Sequence, residues 1–149
     1  IDASSSQIAR AKQLNLVSDN RLSFRVGMAE KIPSHENTFD KVFSIEAAQH
    51  FKSLPAFIEE AYRVLKPNGV FALATFFAVQ DKPSDEALKM IPTVRDKVDY
   101  LHPISKVRML IEEAGFEEVK IESLGENIWH GFDSWIAQGE FKDSWDRNW

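Results

Sequence analysis

Glu46 and His50 are the side chains of this sequence best placed to handle a proton. They stand just beyond the apolar run "FDKVFSI", in the stretch "EAAQHF". An imidazole titrates near neutrality, so His50 can act as a base toward a hydroxyl. Glu46 can accept hydrogen bonds from a cation or a substrate donor, and Gln49 adds an amide nearby. Each has a plainer reading, as a loop residue bonded to a carbonyl or a solvated acid. The third candidate is Asp2, whose carboxylate offers two acceptor oxygens to a pair of donors. It could equally be an acid placed favourably at a helix N-terminus. His35, His102 and His130 are far apart, have no ligand spacing and read as surface or lid residues, so no metal site is expected.

The elements that must position these residues alternate between strand and helix. Ile1 reads as the tail of a strand. Ser4 and Gln7 have capping-box spacing, so a helix should start near Ser4 with Ile8, Ala11 and Leu14 on one face. "LSFRV" (22–26) reads as a short strand, and 27–38 as a loop rich in Gly, Pro and Asn. "FDKVFSI" (39–45) is apolar enough for a strand buried on both faces. Residues 54–65 should form a helix with Pro55 in its first turn and Phe57, Ile58, Ala61, Tyr62 and Leu65 as its stripe. "KPNG" (66–69) turns the chain into the strand "VFALATFF" (70–77). Residues 80–102 look like a helical lid inserted in the domain. Ile104 to Ala114 is a helix closed by Gly115, and 116–124 alternates like a strand. Phe132, Trp135, Ile136, Trp145 and Trp149 then recur at helical spacing.

Such alternation implies an α/β fold, a Rossmann-like, mostly parallel sheet with right-handed crossovers and helices on both faces. In a doubly wound sheet ligands sit outside the carboxyl ends of the strands, where an acid can accept both hydroxyls of a ribose. Asp2 occupies such a position. The composition fits one domain with its own core: 149 residues, 44% hydrophobic, 28% charged. A net charge of −5 without clustered Lys or Arg argues against nucleic acid. No apolar run reaches the roughly 20 residues of a membrane span. Without cysteine there is neither a disulfide nor a thiolate nucleophile, which fits a cytoplasmic location.

The segments "IDASSSQIARAK", "GMAEKIP", "FDKVFSIEAAQHF" and "EEAYRVLKPNGVFALATFF" follow in the order and spacing of class I S-adenosylmethionine-dependent methyltransferases. They most resemble the small-molecule group that includes the ubiquinone/menaquinone, tocopherol and sugar enzymes. The resemblance runs from Asp2 to about Leu124. It implies S-adenosylmethionine as cofactor and a small, partly apolar acceptor methylated on oxygen, nitrogen or carbon. It also assigns Asp2 to the ribose and places Ala3 beside the adenine. Met28 and Ala29 would border the adenine ring. Many relatives carry Asp at the position of Met28, so recognition here would rest on apolar contact and the Ala29 N–H. Ser44, Ile45 and Glu46 would approach the methionine part of the cofactor and the substrate, with His50 as the base. Phe76, Phe77, Met90, Ile91, Tyr100 and Trp129, with Gln49, would line a substrate pocket, although an aromatic run at a strand end is more often core.

No G-x-G occurs among the six glycines, so the family's glycine-rich turn and first strand are not found here, nor is its last strand. Residues 1–149 therefore read as a partial methyltransferase domain, incomplete at both ends and inactive alone, with open sheet edges prone to self-association. The alternative is a catalytically inactive methyltransferase-like scaffold that binds a partner. Tyr62 and Lys66 have the Tyr-x-x-x-Lys spacing of short-chain dehydrogenases. Against that reading, Lys66 falls at the expected helix stop.

Overall fold

The computed structural model describes residues 1–15, 22–78, 85 and 100–137. The lid expected at 80–102 lies almost wholly outside them, as do Met90, Ile91, Trp145 and Trp149. The chain forms two compact units, Ile1–Val119 and Lys120–Trp149.

Within the first unit, helix α1 (Ser5–Leu14) begins where the capping signal placed it. The Ser4 Oγ accepts the Gln7 N–H at 3.3 Å. The Ser4 N–H, which a full capping box would give to the Gln7 side chain, instead donates to Asp2 Oδ1 at 2.7 Å. Ile8 is the buried residue of α1, while Leu14, expected on the same face, is exposed because no described element covers that end.

Strands β1 (Phe39–Ile45) and β2 (Leu65–Ala74) pair in parallel, in register from Lys41 opposite Val70 to Ile45 opposite Ala74. The expected "KPNG" turn lies inside this ladder. Phe39 pairs with Leu65 and Lys41 with Val70, so Lys66–Gly69 loops out between two paired positions. Asn68 takes a left-handed φ of 63° in the excursion. Asparagine tolerates that region better than most residues.

Between the strands runs α2 (Leu54–Val64), started by Ser53, whose Oγ accepts the Ala56 N–H, with Pro55 in the first turn. Leu54, Phe57, Ile58, Ala61 and Val64 are buried. Tyr62, placed in the stripe by spacing, is half-exposed, and Leu65 has already left the helix. The buried arc shifted because α2 packs against both β2 and helix α3 (Ile104–Glu113), whose Val107 joins the same core. Phe51, Phe57, Phe71, Phe116 and Tyr62 extend this core as consecutive ring pairs at 4.7, 5.6, 5.1 and 5.1 Å. Burying each large apolar side chain contributes about 1.5–3 kcal/mol.

The expectation that β1 is buried on both faces is corrected. Val42 packs against the core cluster and Ser44 is buried, but Phe43 is 72% and Ile45 66% exposed. β2 repeats the alternation, with Phe71 and Leu73 packed against the core and Val70 exposed. One face of this two-stranded sheet is covered by α2; on the other, Phe43, Ile45 and Val70 are exposed. Two more expectations fail. Leu22–Val26 makes a single parallel bridge, Asp2 to Val26, because only Ile1 and Asp2 stand beside it before the turn into α1. Residues 116–124 form no ladder: Phe116 goes into the core between Tyr62 and Phe71, and the chain passes into the second unit at Lys120. That unit holds helix α4 (Gly125–Ala137), which contains Trp129; the Trp129 side chain lies outside the description.

Gly115 ends α3 at φ +100°, and a Cβ there would lie 2.9 Å from the Tyr62 ring. Gly115→Ala should therefore lower stability by about 1–3 kcal/mol, seen as a lower urea midpoint.

Candidate functional site at the strand ends

Asp2 donates its N–H to the Arg25 carbonyl at 3.2 Å and accepts the Gly27 N–H at 3.0 Å. These bonds put it where the strand tail leaves for α1. Its Oδ1 accepts the Ser4 N–H as the chain turns into the helix, and the residue is exposed. Ala3 is exposed beside it.

Met28 follows directly after Gly27 and opens a turn closed by the Lys31 N–H to the Met28 carbonyl at 3.2 Å. Met28 is 43% exposed, whereas Ala29 packs against the core cluster. Next in the turn, Glu30 accepts the N–H of Ser53, the α2 cap, at 3.3 Å. The 27–30 turn is thus bonded at one end to Asp2, through Gly27, and at the other to the loop that follows β1, through Glu30.

In that loop Glu46 sits at a left-handed φ of 50°, its N–H held by the Ala74 carbonyl at 2.8 Å. A non-glycine residue held in this region stores strain, and such strain clusters at functional sites. Gln49 is the strut of the loop. Its Nε2 donates to the Glu46 carbonyl, its Oε1 accepts from Thr75, and its own carbonyl accepts the Tyr100 N–H at 2.8 Å. His50 ends the short 3₁₀ turn Ala48–His50 with an exposed side chain. Glu46, Gln49, Thr75 and Tyr100 are therefore gathered by direct bonds at the carboxyl ends of β1 and β2, with His50 next to Gln49 in the chain.

The stretch Ser44–Glu46 does not act as a unit. The Ser44 Oγ is buried on the α2 side with no hydrogen-bond partner, while Ile45, on the opposite face, is exposed. Phe76 and Tyr100 are 40% and 41% exposed at the strand end, but Phe77 packs against the core. Tyr62 and Lys66 share no helix face. α2 stops at Val64, and Lys66 reaches Asp40 at 2.9 Å, holding that carboxyl below its ordinary range.

Sequence reasoning missed His102. It is half-buried, stacks against Tyr100 at 6.4 Å, and its carbonyl accepts the Ala78 N–H where 78 and 103 bridge. Its Nε2 is buried without a partner, and burial pushes the imidazole pKa down toward the neutral form. The signal available was its position next to Pro103, at the start of α3. Among the described residues no three His, Cys, Asp or Glu side chains converge as metal ligands.

A groove of about 700 Å³ lies elsewhere, lined by Arg25, Lys31, His35, Thr38 and Arg63. Arg25 and Arg63 donate to carbonyls of the 32–34 segment, so the groove is the outer side of that loop, away from the strand ends.

Residues 1–73 match the family described as a methyltransferase domain. In sequence and in fold the chain is similar to class I S-adenosylmethionine-dependent methyltransferases, whose cofactor is S-adenosylmethionine. More particularly, the chain is similar to small-molecule enzymes. It is 30% identical over 138 residues to erythromycin 3''-O-methyltransferase of Saccharopolyspora erythraea, covering 87% of this chain and 44% of that protein. It is 29% identical over 139 residues to the ubiquinone/menaquinone biosynthesis C-methyltransferase of Rickettsia bellii, covering 80% and 56%. A structure from Galdieria sulphuraria, assigned as a sarcosine dimethylglycine methyltransferase, shares the fold with a TM-score of 0.77 at 24% identity over 97% of this chain and 56% of that one. The chain thus spans about half the length of the two relatives.

His102 binds a proton less readily folded than unfolded, so the unfolded state holds more protons just below the ordinary imidazole value. Stability is full above that value and falls as pH drops through it. His102→Phe should flatten this part of the profile, measured by urea unfolding across about pH 5.5 to 7.5, one unit either side of the unperturbed value.

Proposed function

We propose that the intact protein transfers a methyl group from S-adenosylmethionine to a small, partly apolar acceptor. The observation that supports this reading is the bonding at the two ends of the 27–30 turn, Gly27 to Asp2 and Glu30 to Ser53. In this reading the turn joins a ribose acid and an adenine edge to the loop that carries the proton-handling residues. The bound cofactor supplies an activated methyl on a sulfonium. The residues fit it: Asp2 has an oxygen to offer ribose hydroxyls, and Met28 and Ala29 present an apolar edge suited to a purine.

In this reading Asp2 holds the ribose, with Ala3 and the Met28–Ala29 turn beside the adenine. Glu46 accepts from the cofactor's ammonium group or from the substrate. His50 takes the proton from an acceptor hydroxyl, and the loop strutted by Gln49 keeps both in place. Ser44 and Ile45 act through the backbone near the methionine portion. Phe76 and Tyr100 form the apolar side of the acceptor site. The erythromycin and quinone enzymes, by their names, methylate oxygen and carbon; a small organic acceptor here follows that pattern. No helix among the described residues is long and apolar enough to cross a membrane. The cytoplasm is the compartment proposed.

The exposed Phe43 and Ile45, with an edge of β1 that pairs with no strand among the described residues, support a second proposal, that chains of this sequence alone associate through β1. Purified residues 1–149 should then sediment above monomer mass, and Phe43→Lys should return them to monomers. A wild-type monomer would remove this idea.

For the reaction itself, Asp2→Asn keeps an oxygen for the Ser4 N–H but loses the charge. In the intact protein it should leave stability near wild type and weaken S-adenosylhomocysteine binding by about 1.5–3 kcal/mol by calorimetry. His50→Ala should lower turnover by about 10²–10⁴ with cofactor affinity kept. Unchanged affinity in the first variant, or unchanged turnover in the second, sinks the corresponding role.

A further inference from the structure

Residues 28–34 carry the turn that borders the proposed adenine site, and they lack a ladder partner of their own. Only one isolated bridge, Met28 to Lys31, closes the turn. What holds the segment is α2. Glu60 and Arg63, one helical turn apart, form a forked pair: Arg63 Nε to Glu60 Oε1 at 2.6 Å and Nη2 to Oε2 at 2.7 Å. The pair then grips the loop from both sides of one peptide residue. Glu60 Oε2 accepts the Ile32 N–H at 2.8 Å, and Arg63 Nη2 donates to the Ile32 carbonyl at 3.1 Å. Arg63 Nη1 reaches one step further, to the Ser34 carbonyl at 2.9 Å.

An exposed ion pair on a helix contributes little by itself. This one differs because its remaining donors and acceptors go to backbone groups about 30 positions away in the chain, where planar bidentate geometry fixes orientation as well as distance. The Arg63 guanidinium also holds the Glu60 carboxyl below its usual range, so the pair stays charged at neutral pH. Upstream, Glu30 is tied to Ser53 and Gly27 to Asp2. Gly27 packs tightly against Pro33: an added Cβ would lie 2.8 Å from the proline ring. The two legs around Met28 and Ala29 are therefore pressed together, with the outgoing leg bonded to Asp2 and the returning leg bonded to α2.

We propose that Glu60 and Arg63 are positioning residues for the nucleoside: by fixing Ile32 and Ser34 they set the Met28–Ala29 edge relative to Asp2. The inference rests on the methyltransferase reading and adds to it two side chains that touch neither cofactor nor acceptor. It separates binding from chemistry. Loosening the pair should raise KM for the cofactor and leave kcat at saturation alone, because the loop that carries Glu46 and His50 is held by Ala74 and Gln49 at Glu46 and by the Ala47 carbonyl at His50 instead.

The test uses the intact protein with S-adenosylhomocysteine as probe, calorimetry for affinity and amide hydrogen exchange for local order. Glu60→Ala and Arg63→Met should weaken binding about tenfold, the scale of a lost charge-assisted hydrogen bond. Exchange should quicken over 28–34 while residues 54–64 stay protected. Glu60→Gln keeps an acceptor for the Ile32 N–H and should recover part of the affinity. If the wild type binds and both variants bind equally well, the positioning role is overturned. It is overturned as well if α2 loses protection together with the loop, since the effect is then general destabilisation. A wild type that binds no S-adenosylhomocysteine overturns the methyltransferase reading beneath it, a distinct failure.

Discussion

The burial of Leu54, Phe57, Ile58, Ala61 and Val64 against β1, β2 and α3 is the contact on which the first unit depends. Without it the two strands have no covered face, since their other face is exposed. Five large or medium apolar side chains at about 1–3 kcal/mol each outweigh any polar contact described in the molecule. The same helix then positions what lies at both of its ends. Its first turn, capped by Ser53, receives Glu30; its last turn carries Glu60 and Arg63. An apolar stripe thus fixes where a set of polar hands can reach.

The strand-end loop is organised on another principle. Glu46 is held in a costly backbone conformation by one bond to Ala74, and Gln49 ties Glu46, Thr75 and Tyr100 into one piece. The strained residue and the strut are adjacent to the side chain with the best claim to move a proton, His50. Strain of about 1–3 kcal/mol persists only where neighbours over-determine it; here the Ala74 carbonyl holds the Glu46 N–H and Gln49 Nε2 holds its carbonyl.

The helices were legible because their signals are local: Ser4 and Ser53 cap, Pro55 and Gly115 punctuate, and spacing of 3–4 residues marks the buried stripes. The parallel pair β1 and β2 followed from alternation of strand and helix. Burial on both faces of β1 was illegible, because an apolar strand reads the same whether or not something covers its second face. The strand expected at 116–124 failed for a related reason: alternation reports a face, not a partner, and Phe116 found aromatic rings instead. At the candidate site, type and position point to Asp2, Glu46 and His50, and the family resemblance to Met28. Gln49 was named for a pocket and its linking bonds could not be foreseen. His102 and the Glu60–Arg63 pair were invisible because their meaning lies in contacts between residues remote in the chain.

The excursion Lys66–Gly69 has a consequence for how such a domain tolerates change. Because paired residues stand on each side of it, at Leu65 and at Val70, the register of β2 is set independently of the length between them. Extra residues at Asn68 would lengthen a surface bow without sliding Ala74 past Ile45, and loop closure grows more costly only slowly with length. This corner of the fold can therefore vary in size, or carry a grafted peptide, while the geometry at the far end of the strand stays as it is.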